Sequence, residues 1–302
     1  MTLLGILLVV FIKPYYRNDR LNTIDVISET IEDLLLKNNL SQKDLEQAAR
    51  TVIGNNVCAI IYNENGKSVY YQVMEYAENG ELKDYITGTT SRIPEKISAK
   101  IFIQIANAVK YLHENNIAHC DIKPENILMD KDFIPKINDF GFSQKLDRNE
   151  DYLLHKRSGT PRYSSPDVLH AYTKGYDGRK NDIFSLGVLL FVITIGDFPF
   201  NSATYSDDKY KFIIKKKYDR FWEYFNYIEI SDEFKDLINK LICSNPAKRL
   251  SIDEILQHPW LMKQLGINYD EIYNNIIKND FMSDIFFDKE VIKEMDARKF
   301  LK

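Results

Sequence analysis

Two short stretches concentrate the side chains of this 302-residue sequence that could do chemistry: His119-Cys-Asp-Ile-Lys-Pro-Glu-Asn126 and Asp139-Phe-Gly141. Between them they hold two carboxylates (Asp121, Asp139), an ammonium (Lys123) and an amide (Asn126). A carboxylate can orient a hydroxyl group and take its proton. An ammonium can neutralise negative charge as it develops. A carboxylate and an amide carbonyl are hard oxygen donors of the kind that magnesium takes. Such a set suits a reaction that needs positioning and charge neutralisation more than covalent help, and phosphoryl transfer is one.

The surrounding pattern supplies elements to hold these residues. Strand-like runs at 56–62 and 68–74 flank the turn-forming Asn63-Glu-Asn-Gly66. A short helix is expected at 81–86. A long amphipathic helix is expected at 97–115, with Ile101, Ile105, Val109 and Leu112 on one face. Short strands and loops then run to about Leu146, with helices to the end. Upstream, Ile24, Ile27, Ile31, Leu34 and Leu35 give 19–49 a helical period. Strands first and helices after predict an α+β architecture, a small β-containing lobe with a larger helical one and a cleft between them.

The two stretches resemble the eukaryotic protein kinases of the serine/threonine type, whose catalytic loop reads H-R-D-x-K-x-x-N and whose metal-binding triplet reads D-F-G. Seven matching positions by chance have odds on the order of one in a billion per start, at about one in twenty per residue. The order of motifs downstream is also similar. Ser158-Gly-Thr-Pro-Arg-Tyr163 looks like the segment that receives substrate, and Ser165-Pro-Asp167 stands where the family has A-P-E. Asp182-Ile-Phe-Ser-Leu-Gly187 resembles D-x-W-S-x-G, whose aspartate anchors the catalytic loop. Arg249 is expected to pair with Asp167, and His258-Pro-Trp260 closes the domain as in calmodulin-dependent and AMP-activated-type kinases.

The resemblance runs from about residue 45 to 260 and implies ATP and Mg as cofactors, with a protein substrate. By it, Asp121 and Lys123 are catalytic, and Asn126 and Asp139 hold the metal. Met74-Glu-Tyr76 looks like the hinge that binds adenine, so Met74, Glu75 and Tyr76 join Glu81, Asn126, Leu128 and Asp139 as cofactor-binding residues. Gly141 is expected to supply the turn where a Cβ would be costly. Glu125 and Glu81 stand where related kinases meet an arginine, which implies a modest preference for a basic residue three positions before the acceptor. Val192 stands where some of them carry a further acid.

Three departures from the family pattern matter. Cys120 replaces the arginine that pairs with an activation-loop phosphate, and Lys156 precedes Thr160 by four where the phosphoacceptor often sits. Activity independent of that phosphorylation is the expectation. No G-x-G-x-x-G occurs in the first 75 residues, where only Gly5 and Gly54 are found. Val10-Phe-Ile-Lys13 resembles the strand that carries the family's phosphate-anchoring lysine, which implies Lys13 with Glu32 as partner, against a solvated lysine ending an apolar strand; alternatively the glutamate is Glu46, and no lysine stands at the usual distance before it. Either the first 44 residues are a truncated or misjoined part of the small lobe, or the lobe diverges and lacks the usual lid. The rival to an active kinase is a pseudokinase that serves as a binding module.

The expected organisation is 1–44 as the divergent part of the small lobe, 45–76 as its remainder with the hinge, 77–260 as the large lobe and 261–302 as a helical tail. That tail is read as helices packed on the large lobe, or as an autoinhibitory or partner-binding helix. A net charge of -4 argues against nucleic acid as the main partner. Cys58, Cys120 and Cys243 form no CxxC pair, which fits a reducing, cytoplasmic setting rather than a disulfide framework or a zinc site. The apolar run 2–12 is shorter than the roughly 18 residues a spanning helix needs, so a membrane role is not expected.

Overall fold

The computed structural model describes residues 58–64, 67–73, 77–86, 92–146, 152–266 and 289–299. The chain divides into two units, Met1–Ala77 and Glu78–Lys302. In the first, β1 (Cys58–Glu64) and β2 (Lys67–Val73) form an antiparallel hairpin running from Cys58 opposite Val73 to Glu64 opposite Lys67. Both strands start or stop within two residues of the boundaries that their alternation predicts. The helix expected at 19–49 lies outside the described residues.

The second unit opens with a 3-10 turn, Leu82–Tyr85, where a short helix is expected. Helix α1 (Glu95–Glu114) follows directly after Pro94, whose fixed φ suits the residue before a helix. Its predicted apolar face is the buried one: Ile101, Ile105, Val109 and Leu112 are all in the core. Four two- or three-residue strands come next: β3 (Ile117–Ala118), β4 (Ile127–Met129), β5 (Pro135–Ile137) and β6 (Gln144–Lys145). They pair as β3 with β6 and β4 with β5, both antiparallel. Strand β7 (Leu153–Leu154) pairs with β8 (Tyr176–Asp177) around the short helix α2 (Ala171–Lys174).

Helix α3 (Gly178–Ile195) is apolar on nearly every side and correspondingly buried along almost its whole length. Asp177 caps it by accepting from the Arg179 N–H. Midway, Gly187 lets α3 approach α6 (Asp232–Leu241) closely, because a Cβ there would stand 2.6 Å from the Leu241 Cβ. Between α3 and α6 lie α4 (Tyr210–Ile214) and α5 (Tyr218–Trp222), where Phe191, Phe221, Trp222 and Phe225 stack edge to face and side by side. Helices α7 (Ile252–Leu256) and α8 (Pro259–Leu265) pack on α1.

One carboxylate ties this assembly together. Glu95, in the first turn of α1, accepts from the Ser231 N–H and hydroxyl and from the Trp260 indole at 2.7 Å. It thereby joins the starts of α1, α6 and α8. The last described helix, α9 (Lys289–Lys299), buries Val291 and Met295 against α1 and the Leu82–Tyr85 turn. Its Arg298 donates to the carbonyls of Arg92 at 2.6 Å and Tyr85 at 3.4 Å. Residues 289–299 of the tail are thus a helix packed on the second unit. The apolar positions Ile267 to Phe286 lie outside the described residues. No helix among the described residues is long and apolar enough to cross a membrane.

Candidate active site

The two chemistry-bearing stretches are the loops that the short ladders close. Residues 119–126 connect β3 to β4, and 138–143 connect β5 to β6. Beyond the β4–β5 ladder the pairing runs one step further, with the Asn138 N–H donating to the Asn126 carbonyl at 2.8 Å. That bond sets Asp139 beside Asn126. At the other end the Leu146 N–H donates to the Asn116 carbonyl, also at 2.8 Å, and the Ser143 hydroxyl to the His119 carbonyl at 3.3 Å. Short strands suffice because each loop is held at both bases.

His119 links the loops from inside. Its Nε2–H donates to the Asn138 carbonyl at 3.1 Å, and its Nδ1 accepts from the Asp121 N–H at 3.3 Å, with the Phe140 ring edge-on at 4.9 Å. Burial, chiefly, holds this imidazole below its ordinary range, against the upward pull of Asp182, the Asn138 carbonyl, Asp121 and Asp139. Below about pH 6.5 the unfolded chain accepts a proton that the folded ring refuses, so stability is lost as pH falls below that point. His258 acts in the same sense, its shift set first by burial and then by Lys240. The melting temperature should therefore fall from pH 7 to pH 5.5, as the unfolding free energy drops by up to about 1.4 kcal/mol per pH unit for each histidine. His119→Asn should flatten the fall. A flat or rising wild-type profile by calorimetry contradicts this.

Asp182 anchors the catalytic stretch from α3. It is fully buried, and its Oδ2 accepts from the His119 N–H and its Oδ1 from the Cys120 N–H, both at 2.8 Å, while His113 Nε2 lies 2.9 Å from Oδ2. Turning two successive N–H groups onto one carboxylate forces Cys120 into the left-handed region, at φ 64°. Its thiol packs among Ala118, Leu146, Tyr152 and Leu154, and burial pushes it upward out of the reactive range. Cys120 is a core side chain.

Asp121 is where donors converge. Its Oδ1 accepts from the Thr160 N–H (2.8 Å) and hydroxyl (2.7 Å), and its Oδ2 accepts from Lys123 Nζ (2.8 Å) and Asn126 Nδ2 (3.0 Å). Burial works against this carboxylate, but the bonds from Lys123 and Thr160 outweigh it and hold the group below the usual carboxylate range. Lys123 also donates to the Thr160 hydroxyl at 2.8 Å. Gly159 makes this docking possible: at φ 88°, its Cβ would fall 2.2 Å from the Cys120 carbonyl oxygen.

The turn at Asp139 corrects one expectation. The left-handed residue there is Asp139 itself, at φ 57°, and not Gly141. Its Oδ1 accepts from the Gly141 N–H at 3.1 Å, the local bond that lets an aspartate hold this conformation. Asn126 spends its amide N–H donors on Asp121, both side chain and carbonyl. Its Oδ1 makes neither of those bonds and would be the oxygen offered to a metal, with Asp139 following directly on the Asn138–Asn126 backbone bond. Among the described residues no three His, Cys, Asp or Glu side chains form a metal cage. Magnesium fits without one, because it is usually held by one or two protein ligands with phosphates and water.

Glu81 and Leu128 are also brought together, as bridged backbone neighbours. Lys13, Met74, Glu75 and Tyr76 lie outside the described residues, as do Glu32 and Glu46. The expected Arg249–Asp167 pair is present at 2.5 Å, with Arg249 also donating to the carbonyls of Cys243 and Lys180. Sequence reasoning missed His113 and Asn181, whose Oδ1 accepts from the Ser165 N–H at 2.9 Å. The two flank Asp182 in space, and no local pattern marks either.

Known proteins are similar to this chain over most of its length. A family model described as protein kinase domain matches residues 36–261. CBL-interacting protein kinase 11 of Oryza sativa subsp. japonica is 36% identical over 262 residues, covering 85% of this chain and 50% of that protein. CBL-interacting serine/threonine-protein kinase 7 of Arabidopsis thaliana is 35% identical over 214 residues, 71% of this chain and 47% of the relative. Serine/threonine-protein kinase kin-29 of Caenorhabditis briggsae is 39% identical over 194 residues, 64% of this chain and 22% of its own length. The chain thus spans half or less of the length of these relatives. With more than half of its residues inside the family model, the chain belongs to the protein kinase family, whose domain takes ATP as a substrate.

Proposed function

We propose that this chain is a serine/threonine kinase that moves the γ-phosphoryl group of ATP to a protein hydroxyl. The observation that carries the reading is the ionised Asp121 carboxylate, which holds a hydroxyl and an ammonium at 2.7 and 2.8 Å. In the proposed mechanism the acceptor hydroxyl donates to Asp121. As its oxygen bonds to the γ-phosphorus, the bond from that phosphorus to the β–γ bridging oxygen breaks, and Asp121 takes the proton. Lys123 offsets negative charge on the moving group. Asp139 and Asn126 would hold magnesium, which when bound neutralises and orients the phosphates.

By the resemblance, Lys13, Met74, Glu75, Tyr76, Glu81 and Leu128 line the nucleotide site. Residues 45–76 complete the small lobe, and the protein substrate carries a basic residue upstream of its acceptor. Cys120 and Cys243 are free and buried, which supports a cytoplasmic, reducing setting.

The test is radiolabelled phosphate incorporation into a serine peptide. Because the core thiol of Cys120 stands where the family's phosphate-binding arginine would, prior phosphatase treatment should leave the rate unchanged within about twofold. A large loss refutes that independence, and absence of any incorporation refutes the kinase reading.

A further inference from the structure

Two 3-10 turns meet next to Asp121. Leu82–Tyr85 contributes Lys83, and Pro124–Asn126 contributes Glu125. Lys83 Nζ lies 3.2 Å from Glu125 Oε1. The second oxygen, Oε2, is buried and accepts no hydrogen bond. Glu125 directly precedes Asn126, whose amide is 3.0 Å from Asp121. Its charge also reaches the segment at Thr160: the Tyr163 phenol is pushed upward first by burial and next by Glu125. The acid therefore lies one residue from the Asp121 cluster, and a lysine of the same chain already holds it.

Resting on the kinase reading above, we infer that Lys83 stands in for a substrate's arginine at Glu125, so that residue 83 sets how strongly the chain selects a basic residue upstream of the acceptor. The Lys83 side chain is 51% exposed, so it is a weakly held and displaceable partner. A single ammonium satisfies one oxygen of Glu125. A guanidinium carries the same charge on a planar fork of donors and competes for the oxygen that Lys83 holds. An incoming arginine must first displace Lys83, and the displacement offsets much of its gain. Selection for arginine is consequently muted in the natural sequence.

The experiment compares the wild type with Lys83→Gln, Lys83→Arg and Glu125→Gln. Two serine peptides are used, differing only in Arg or Ala three residues before the acceptor. The Arg/Ala ratio is read twice, as kcat/KM and as affinity by fluorescence anisotropy of labelled peptide. Lys83→Gln should raise the ratio by up to about fivefold, the worth of a solvent-exposed ion pair. Lys83→Arg, which holds Glu125 at least as firmly, should leave the ratio at or below wild type, and Glu125→Gln should bring the ratio close to one. An unchanged ratio in Lys83→Gln, or a ratio in Glu125→Gln equal to wild type, overturns the inference. Failure of the kinase reading looks different: no phosphate enters either peptide, while anisotropy still reports the ratio.

Discussion

Asp121→Asn should lower phosphate incorporation by about 10²- to 10⁴-fold, the range expected for loss of a general base. Four donor contacts converge on this carboxylate, from the Thr160 N–H and hydroxyl, Lys123 and Asn126. An asparagine keeps the shape but replaces one acceptor oxygen by a donor NH₂, so at least one of those donors loses its partner. A stability cost of about 1–3 kcal/mol follows, and rates should be compared well below the melting temperature of the variant. Binding of ATP should persist, because Asn126 and Asp139 are untouched. A ligand at a hundred times its Kd stabilises by about 2.7 kcal/mol, and both proteins should show a shift of that order with Mg·ATP. Equal incorporation by the two proteins would defeat the assignment of Asp121.

Asp182→Ala should unfold more easily by about 3–5 kcal/mol, although Asp182 touches no substrate. Its carboxylate, with no exposed surface, receives the His119 and Cys120 N–H groups and faces His113. An alanine strands these buried donors where water cannot reach them, and each orphan costs about 1–3 kcal/mol, less than additively. The left-handed conformation of Cys120, at φ 64°, would also lose the partner that maintains it. Asp182→Asn should rescue little, since its NH₂ would oppose a backbone donor. Urea unfolding should give a lower midpoint at an unchanged m value. A loss below about 1 kcal/mol would mean that the loop is held elsewhere.

The two predictions separate what was legible in the sequence from what was not. Asp121, Lys123, Asn126 and Asp139 are legible because their residue types and order are imposed by the chemistry, whatever surrounds them. The β1–β2 hairpin and α1 are legible because alternation and 3.6-residue periodicity are local. The support around the site is not local. His113 ends α1, Asp182 lies in α3, and only packing brings them within 2.9 Å. The same holds for Glu95, whose partners Ser231 and Trp260 are on other helices. Gly141 is the residue expected to supply the turn where a Cβ would be costly, yet Asp139 takes the left-handed conformation, because its side chain can bond the Gly141 N–H. The Lys83–Glu125 pair has the same character. Glu125 reads as a substrate contact in sequence, and only the meeting of two turns reveals the lysine already on it.

A crystal structure with magnesium and a non-hydrolysable ATP analogue would probe the whole reading in one step. It should place Asn126 Oδ1 and an Asp139 oxygen on one ion, at about 2.0–2.1 Å each, with the terminal phosphate turned toward Asp121. A nucleotide bound with its metal on neither of those side chains would contradict the account.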